Sequence, residues 1–315
     1  MKRFFSADSF WNQPLDSNAE TDPRSDDFIN RLAVDPGGPF WINCNEYAMP
    51  VYEVDDTTPR HTVHQWALEP WHHPGRWAPR EKYWSHGPGF GQDVPIPDNA
   101  TPDPGTDAHL ALVDWSRNLV WDMWAARRRP DGEWESRTGM VYAAEGSGVW
   151  QTSDFNVKNG ESIHFHGPSR AAGVPIVAGL AMRHELLSGE VRHKIAMATW
   201  HNAFQQFVAP ATWTDGFEDG GLPEGAVMQL DPSLNLKPFG LSPAATALAK
   251  AMQIYGMVNV DNARGNVVYT EGLYGHPGWT WDGILSPDEF TRIPLKHYRV
   301  IKLGPITPMG DSRSH

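Results

Sequence analysis

The sequence predicts a mainly β protein, an antiparallel β-sandwich or jelly roll with two short helices and long aromatic-rich loops. Glycine and proline supply 29 and 27 of the 315 residues, more than the usual share of about 12%, which indicates many turns. Short strand-like segments also recur without the strand–helix alternation of a parallel α/β fold. Because no linker interrupts the chain, we expect one domain over 1–315 with an irregular N-terminal part and a long loop at 70–106.

Short apolar runs between turn residues predict the strands. The clearest pair is a hairpin in which 108–114 and 119–125 flank a turn at 115–118. Further strands are predicted at 49–54, 62–68, 139–143, 149–152, 189–199, 205–208, 226–230, 257–260, 266–270 and 297–303.

Capping residues predict the two helices. Pro175 and Gly189 bracket a helix over 175–187, in the usual order of proline at the start and glycine after the end. Ser242 and Gly256 bracket a second helix over 243–255, as its N-cap and its C-terminal glycine.

Composition excludes several classes of protein. The net charge of −12 disfavours nucleic acid as a partner. No apolar run is long enough to span a membrane, so we predict no membrane partner. The single Cys44 excludes an intramolecular disulfide and a cysteine-based zinc site.

The apolar stretch after Lys2-Arg3 ends within two residues, so we predict no signal peptide. We expect a secreted protein in its mature form, with an intracellular or phage-borne protein as the alternative.

Several segments together resemble a known family. They are Ser9-Phe10-Trp11-Asn12, Asp107-Ala108-His109, and the stretches at 171–180, 185–193, 220–234 and 254–261. The chain resembles a largely uncharacterised family of often secreted bacterial and fungal proteins, and the resemblance implies a carbohydrate-active β-sandwich. Lys194-Ile195, the aromatic loop at 70–90 and His164-Phe165-His166 depart from the family pattern.

Asp107 and His109 are the first catalytic candidates. If 107–113 is a strand, both side chains project from one face, roughly 7 Å apart. A carboxylate beside an imidazole orients the ring and raises its pKa, which suits a general base or a metal site. The alternative is a capping aspartate with a surface histidine.

His193, Glu185 and Asp261 complete the predicted catalytic set. His193 is predicted to lie among apolar neighbours on a strand that begins near residue 190, where a hydrogen-bonded core histidine is the alternative to a catalytic partner. Glu185 belongs to the preceding helix and has a solvated helix face as its alternative. Asp261 is either a turn-initiating aspartate or the second acid of a catalytic pair.

Tryptophan, with 15 residues, is the predicted substrate platform, because sugars stack on indole rings and carboxylates accept their hydroxyl groups. We predict substrate contacts for Trp71, Trp84, Asp122 and Trp124. His164 and His166 are predicted to contact substrate, with a transition-metal site as the alternative. No cofactor is specified; a divalent metal is possible.

These residues favour an enzyme that cleaves glycosidic bonds in a polysaccharide or oligosaccharide. A glycoside hydrolase is favoured, because candidate carboxylates are plentiful. A polysaccharide lyase and a non-catalytic glycan-binding protein are the alternatives, and a histidine-rich metal oxidase or oxygenase of cupin type is a further one. Nucleotide-binding, serine-hydrolase and metalloprotease motifs are absent from the sequence. The oligomeric state stays open.

Overall fold

The computed structural model describes residues 2–66, 86–87, 89–155 and 167–309. It confirms a mainly β protein, with 29% of residues in strands and 15% in helices. The strands, in chain order, are β1 (Phe40–Asn43), β2 (Met49–Glu53), β3 (Arg60–His61), β4 (Val63–Gln65), β5 (Val94–Pro95), β6 (Leu110–Asp114), β7 (Leu119–Trp124), β8 (Arg127–Arg128), β9 (Trp134–Ser136), β10 (Thr138–Ala143), β11 (Ile195–Thr199), β12 (Asn202–Phe207), β13 (Leu222–Glu224), β14 (Val227–Leu230), β15 (Met257–Asn262), β16 (Asn266–Tyr269), β17 (Glu271–Gly272), β18 (Tyr298–Val300) and β19 (Thr307–Pro308).

Two larger sheets form the sandwich. One has the strand order β1-β16-β11-β15-β14-β18 and the other β10-β7-β6-β2-β17. Ala111 and Val113 of the second sheet share a buried core with Ala196 and Val258 of the first. Leu110, on the opposite face of β6, belongs to a separate buried cluster. The central strands are therefore buried on both faces, which explains their continuous apolar sequences.

The sheets are mixed rather than purely antiparallel. The predicted hairpin of β6 and β7 is antiparallel, with Leu110 opposite Met123. In contrast, β2 runs parallel to β6, and β11 runs parallel to β15. These parallel partners are far apart in sequence, and long connections of that kind allow either strand direction.

Within the described ranges, three α-helices accompany the sheets: α1 (Ser25–Leu32), α2 (Arg183–Ser188) and α3 (Pro243–Ile254). The second predicted helix is confirmed as α3, and the Oγ atom of its N-cap Ser242 accepts a hydrogen bond from the Ala245 backbone N–H at 3.1 Å. α1 lies in the N-terminal part, which the sequence predicts to be irregular. The described part of the chain contains no helix of the length and apolar character that a membrane crossing requires.

The helix predicted over 175–187 is wrong in its N-terminal half, because the helical structure begins only at Arg183, the first residue of α2. The residues before α2 are buried but irregular. The Ile176 backbone N–H donates to Asp122, and its carbonyl accepts from the Arg170 guanidinium. These bonds compete with the backbone bonds that a helix needs.

Two strand predictions also differ from the structure. β11 begins at Ile195 rather than near residue 189, so His193 precedes the strand. No strand occupies 149–152; a short 3₁₀ turn lies at Thr152–Asp154 instead.

Candidate active site

An acidic pocket of about 120 Å³ lies at one end of the sandwich. Three aspartates, Asp107, Asp215 and Asp261, make the pocket acidic. His109 and two tryptophans, Trp124 and Trp213, line it as well. Asp107 and His109 precede β6, whereas Asp261 lies near the end of β15. The structure thus brings together four of the predicted site residues, Asp107, His109, Trp124 and Asp261.

Local backbone geometry positions Asp107 and His109. Ala108 between them has a positive φ of 42°, and β6 starts only at Leu110, so the two residues do not share a strand face. The Asp107 carbonyl instead accepts the Ala125 backbone N–H at 2.8 Å. The indole N–H of Trp124 donates to Asp107 Oδ1 at 3.5 Å, which ties the carboxylate to the pocket wall.

His109 is neutral at physiological pH. His109 is only 3% exposed. Burial, together with the positive charge of Arg170, lowers the pKa of its imidazole to about 3. The described residues include no hydrogen bond between its ring and Asp107. The expectation that Asp107 raises the pKa of His109 is therefore wrong, because the cost of burying a charged imidazole outweighs the effect of the carboxylate.

The three aspartates of the acidic pocket resist simultaneous ionisation. Burial raises the pKa of Asp107 and raises that of Asp215 to about 6, with a further contribution from the charge of Asp107. Burial and repulsion by both other aspartates raise the pKa of Asp261 well above its ordinary value. Carboxyl groups that share a site in this way differ in protonation near neutral pH.

Glu224 lies fully buried behind Asp215. Burial and the charges of Asp215 and Asp261 raise its pKa well above the ordinary value. Glu224 Oε2 and Asp215 Oδ1 are buried and receive no N–H or hydroxyl donor from the described residues. A proton retained by Glu224 and donated to Asp215 satisfies both carboxyl groups, and this hydrogen bond lowers the pKa of Asp215 against the effect of burial.

Arg170 supplies the buried positive charge beneath the acidic pocket. The side chain is fully buried, with its guanidinium 4.4 Å from the centre of the Tyr269 ring. Nη2 donates to the Ile176 carbonyl at 3.0 Å. The guanidinium counteracts the rise in the pKa of Asp261, so it keeps a pocket of several acids compatible with folding.

Asp122, a predicted substrate contact, lies beneath the pocket wall and has no exposed surface. Its Oδ2 atom accepts from the Tyr142 hydroxyl at 2.9 Å and the Ile176 N–H at 3.1 Å, and its Oδ1 accepts from the Ser169 hydroxyl at 2.9 Å. In this conformation the carboxylate is inaccessible to substrate. Its contacts instead position the segment that carries Ser169 and Arg170.

His193 and Glu185 line a different and larger cavity. This large cavity, of about 650 Å³, is bordered also by Trp115, Glu271 and Trp279. Trp115 follows the end of β6, whereas His109 of the acidic pocket precedes its start, and the strand between them spans roughly 13 Å. His109 and His193, which the sequence predicts as members of one catalytic set, therefore line separate cavities at opposite ends of the strand.

Glu185 and His193 form a buried ion pair. His193 Nε2 lies 3.1 Å from Glu185 Oε2, which also accepts the Met182 backbone N–H at 3.0 Å. Burial favours the neutral forms, but the mutual attraction prevails: the pKa of His193 is raised and that of Glu185 is lowered. The prediction that His193 lies on a strand is wrong, because β11 begins at Ile195. The alternative role given for His193, a hydrogen-bonded buried histidine, agrees with this geometry.

This pair gives a pH-dependent prediction for stability. Glu185→Gln keeps an acceptor for Met182 but removes the charge that faces His193. The stability that His193 contributes is fully present below its unfolded pKa and is lost as pH rises through its raised pKa in the folded protein. The stability that Glu185 contributes is lost as pH falls through its lowered pKa in the folded protein. We expect the variant to melt about 2–4 °C below the wild type between pH 4.5 and 6.5, the ordinary pKa values of the two groups. Melting curves should show the gap shrinking at higher pH; a gap that widened there would contradict the assignment.

Four predicted substrate residues, Trp71, Trp84, His164 and His166, lie outside the described residues, so their roles stay predictions. Across the described ranges, no group of three or more histidine, cysteine, aspartate or glutamate side chains is arranged to hold a metal ion. Of the other tryptophans, Trp11, Trp115 and Trp279 line the large cavity, and Trp121, Trp134 and Trp281 are buried.

Four residues at this end of the molecule were not predicted from the sequence: Arg170, Trp213, Asp215 and Glu224. Two of them carried a local signal, because Asp215 and Glu224 each precede a glycine, which marks a turn beside them, and functional residues are concentrated in loops. Glu224 also falls inside a segment that carries the family resemblance. No protein-family model, curated protein or solved structure matches the chain.

Proposed function

We propose that the protein is a glycoside hydrolase that cleaves a polysaccharide or oligosaccharide at the acidic pocket. The observation that supports this most is the convergence of three aspartates with raised pKa values beside two indole side chains. Glycoside hydrolysis needs one protonated and one ionised carboxyl group near the same bond. Neighbouring acids with separated pKa values meet that need at a single pH.

Asp261 is the proposed general acid, because the pKa of this group is raised well above the ordinary value and it keeps a proton near neutral pH. It donates this proton to the glycosidic oxygen as the bond to the anomeric carbon breaks. Asp215, with a pKa of about 6, is the proposed ionised partner. It acts as the nucleophile, or as the base that takes a proton from the attacking water. The hydroxyl group of that water ends on the anomeric carbon.

The remaining side chains of the pocket bind and orient the sugar in this proposal. Trp124 and Trp213 offer indole surface to the C–H face of a sugar ring. Neutral His109 and the Asn262 amide line the pocket and can hydrogen-bond sugar hydroxyl groups. Asp107, to which the Trp124 indole donates, lies beside the bound sugar in this proposal, and its ionised form would stabilise an oxocarbenium-like transition state.

The same pocket is less suited to a lyase. A lyase needs a base that removes a proton from carbon, and an imidazole with a pKa of about 3 is a weak one. It also needs positive charge against a uronate carboxylate, whereas three aspartates line this pocket. A purely glycan-binding protein has no use for acids of separated pKa.

A polysaccharide panel tests the proposal. We expect wild-type protein to release new reducing ends from at least one neutral glycan, without the ultraviolet absorbance of an unsaturated uronate. An absorbing product would assign a lyase. Glycan binding without any cleavage, under conditions in which the fold is intact, would assign a binding protein.

The pH–rate profile is expected to be bell-shaped. Because Asp215 must ionise, kcat/KM should rise through about pH 6. Because Asp261 must stay protonated, the rate should fall again at the higher pH where it ionises. Initial rates on the best glycan, between about pH 4 and pH 9, measure both limbs. A rate that is flat from pH 5 to 7 would exclude Asp215 as the ionised partner.

A further inference from the structure

We propose that the large cavity is a binding site for a small cationic amine with an apolar or aromatic body, with Glu271 as the partner of the ammonium group. This inference is independent of the proposed hydrolase. It rests on an unpaired buried carboxyl group, on the aromatic wall beside it and on the volume of the cavity.

Glu271 is the unpaired group. It is 4% exposed and borders the large cavity. Its Oε2 atom accepts the Arg183 backbone N–H at 2.7 Å, whereas Oε1 has no hydrogen-bond partner among the described residues. A buried carboxylate is costly unless a positive charge or several donors face it. The second oxygen, Oε1, therefore offers a site to a ligand that brings both a positive charge and hydrogen-bond donors.

Nearby cations do not neutralise Glu271. The Arg183 guanidinium lies 5.1 Å from the centre of the Trp279 ring and forms no ion pair with Glu271 in the described structure. His193 is already paired with Glu185. Burial, with the charges of Glu185 and Glu53, raises the pKa of Glu271 to about 7 against the smaller effect of Arg183, as expected for a carboxyl group that lacks a counter-charge.

The aromatic wall suits the body of such an amine. The rings of Tyr52 and His276 are stacked with centres 4.5 Å apart, and those of His276 and Trp279 with centres 4.6 Å apart. Trp279, at the outer end of this stack, is 44% exposed. Aromatic rings attract ammonium groups and pack against apolar bodies, and the volume of about 650 Å³ lies in the range of small-molecule sites.

The charges around Glu271 determine the pH dependence. Arg183 and Glu185 of α2 and Glu53 of β2 face Glu271. The other titratable side chains on the cavity wall are Lys2, Arg3, His184, His193 and His276. Glu271 is mostly protonated at pH 6 and mostly ionised at pH 8. A ligand that binds the ionised form should therefore bind about tenfold more tightly at pH 8 than at pH 6.

Calorimetric titration with phenethylamine tests the inference. Phenethyl alcohol and phenylacetate serve as neutral and anionic ligands with a similar body. We expect saturable binding of the amine that strengthens about tenfold from pH 6 to pH 8, and at least about tenfold weaker binding of the alcohol and the acid. Equal binding of all three ligands, or no saturable binding of the amine, would overturn the proposal.

Two variants locate the binding. Glu271→Gln can still accept the Arg183 N–H, so the fold should persist while amine affinity falls at least about tenfold and loses its pH dependence. Glu145→Gln, at an exposed glutamate of the turn after β10, should bind like the wild type. Unchanged amine binding by Glu271→Gln would overturn the proposal, and it would leave the assignment of the acidic pocket untouched.

Discussion

Asp261→Asn is expected to lower kcat for glycan cleavage by about 10²- to 10⁴-fold, which is the usual contribution of a general acid. Asparagine has nearly the same shape and can still accept the Asn262 backbone N–H that Asp261 Oδ1 accepts at 2.9 Å. It cannot give a proton to the leaving oxygen. Because the ionised form of Asp261 is disfavoured in the folded protein, the substitution should not lower the free energy of unfolding.

Matched rate measurements check this expectation. Asp56→Asn, at an exposed aspartate of a turn, is the control and should retain wild-type kcat. If Asp261→Asn kept more than about a tenth of the wild-type rate with unchanged folding, Asp261 would not be the general acid.

Asp122→Ala is expected to cause the largest loss of stability, about 3–5 kcal/mol in the free energy of unfolding. Alanine removes the acceptor of three buried donors, the Tyr142 and Ser169 hydroxyls and the Ile176 N–H. Each buried donor left without a partner costs about 1–3 kcal/mol. The substitution also removes one of the acids around the fully buried Arg170.

Urea unfolding at neutral pH measures the effect. Asp122→Asn, which retains one acceptor oxygen, should lose clearly less stability than Asp122→Ala. A loss below about 1 kcal/mol for the alanine variant would show that Asp122 does not support the floor of the acidic pocket.

Local signals in the sequence were sufficient for part of the fold. The hairpin of β6 and β7 follows from two apolar runs and a four-residue turn, and α3 follows from its serine cap and C-terminal glycine. The failed half of the first predicted helix had equally good local signals. Its backbone bonds go to Asp122 and Arg170 instead, and no local pattern contains these partners.

The candidate site was predictable only in part, for the same reason. The sequence singled out Asp107, His109 and Asp261, which the structure places around one pocket, but their grouping with Asp215 and Glu224 depends on which loops meet at one end of the sandwich. The pKa of His109 moved opposite to expectation because its burial could not be read from a dipeptide spacing. Sequence spacing likewise could not show that His193 lines a separate cavity.

The source of the oxygen in the product tests the central claim most directly. Wild-type protein and Asp261→Asn are incubated with the best glycan in water labelled with heavy oxygen, and the fragments are analysed by mass spectrometry. Hydrolysis at the acidic pocket requires the label at the new reducing end with the wild type, and almost no fragments with the variant. Unlabelled fragments that carry a double bond, or labelled fragments at the wild-type rate from Asp261→Asn, would contradict the account.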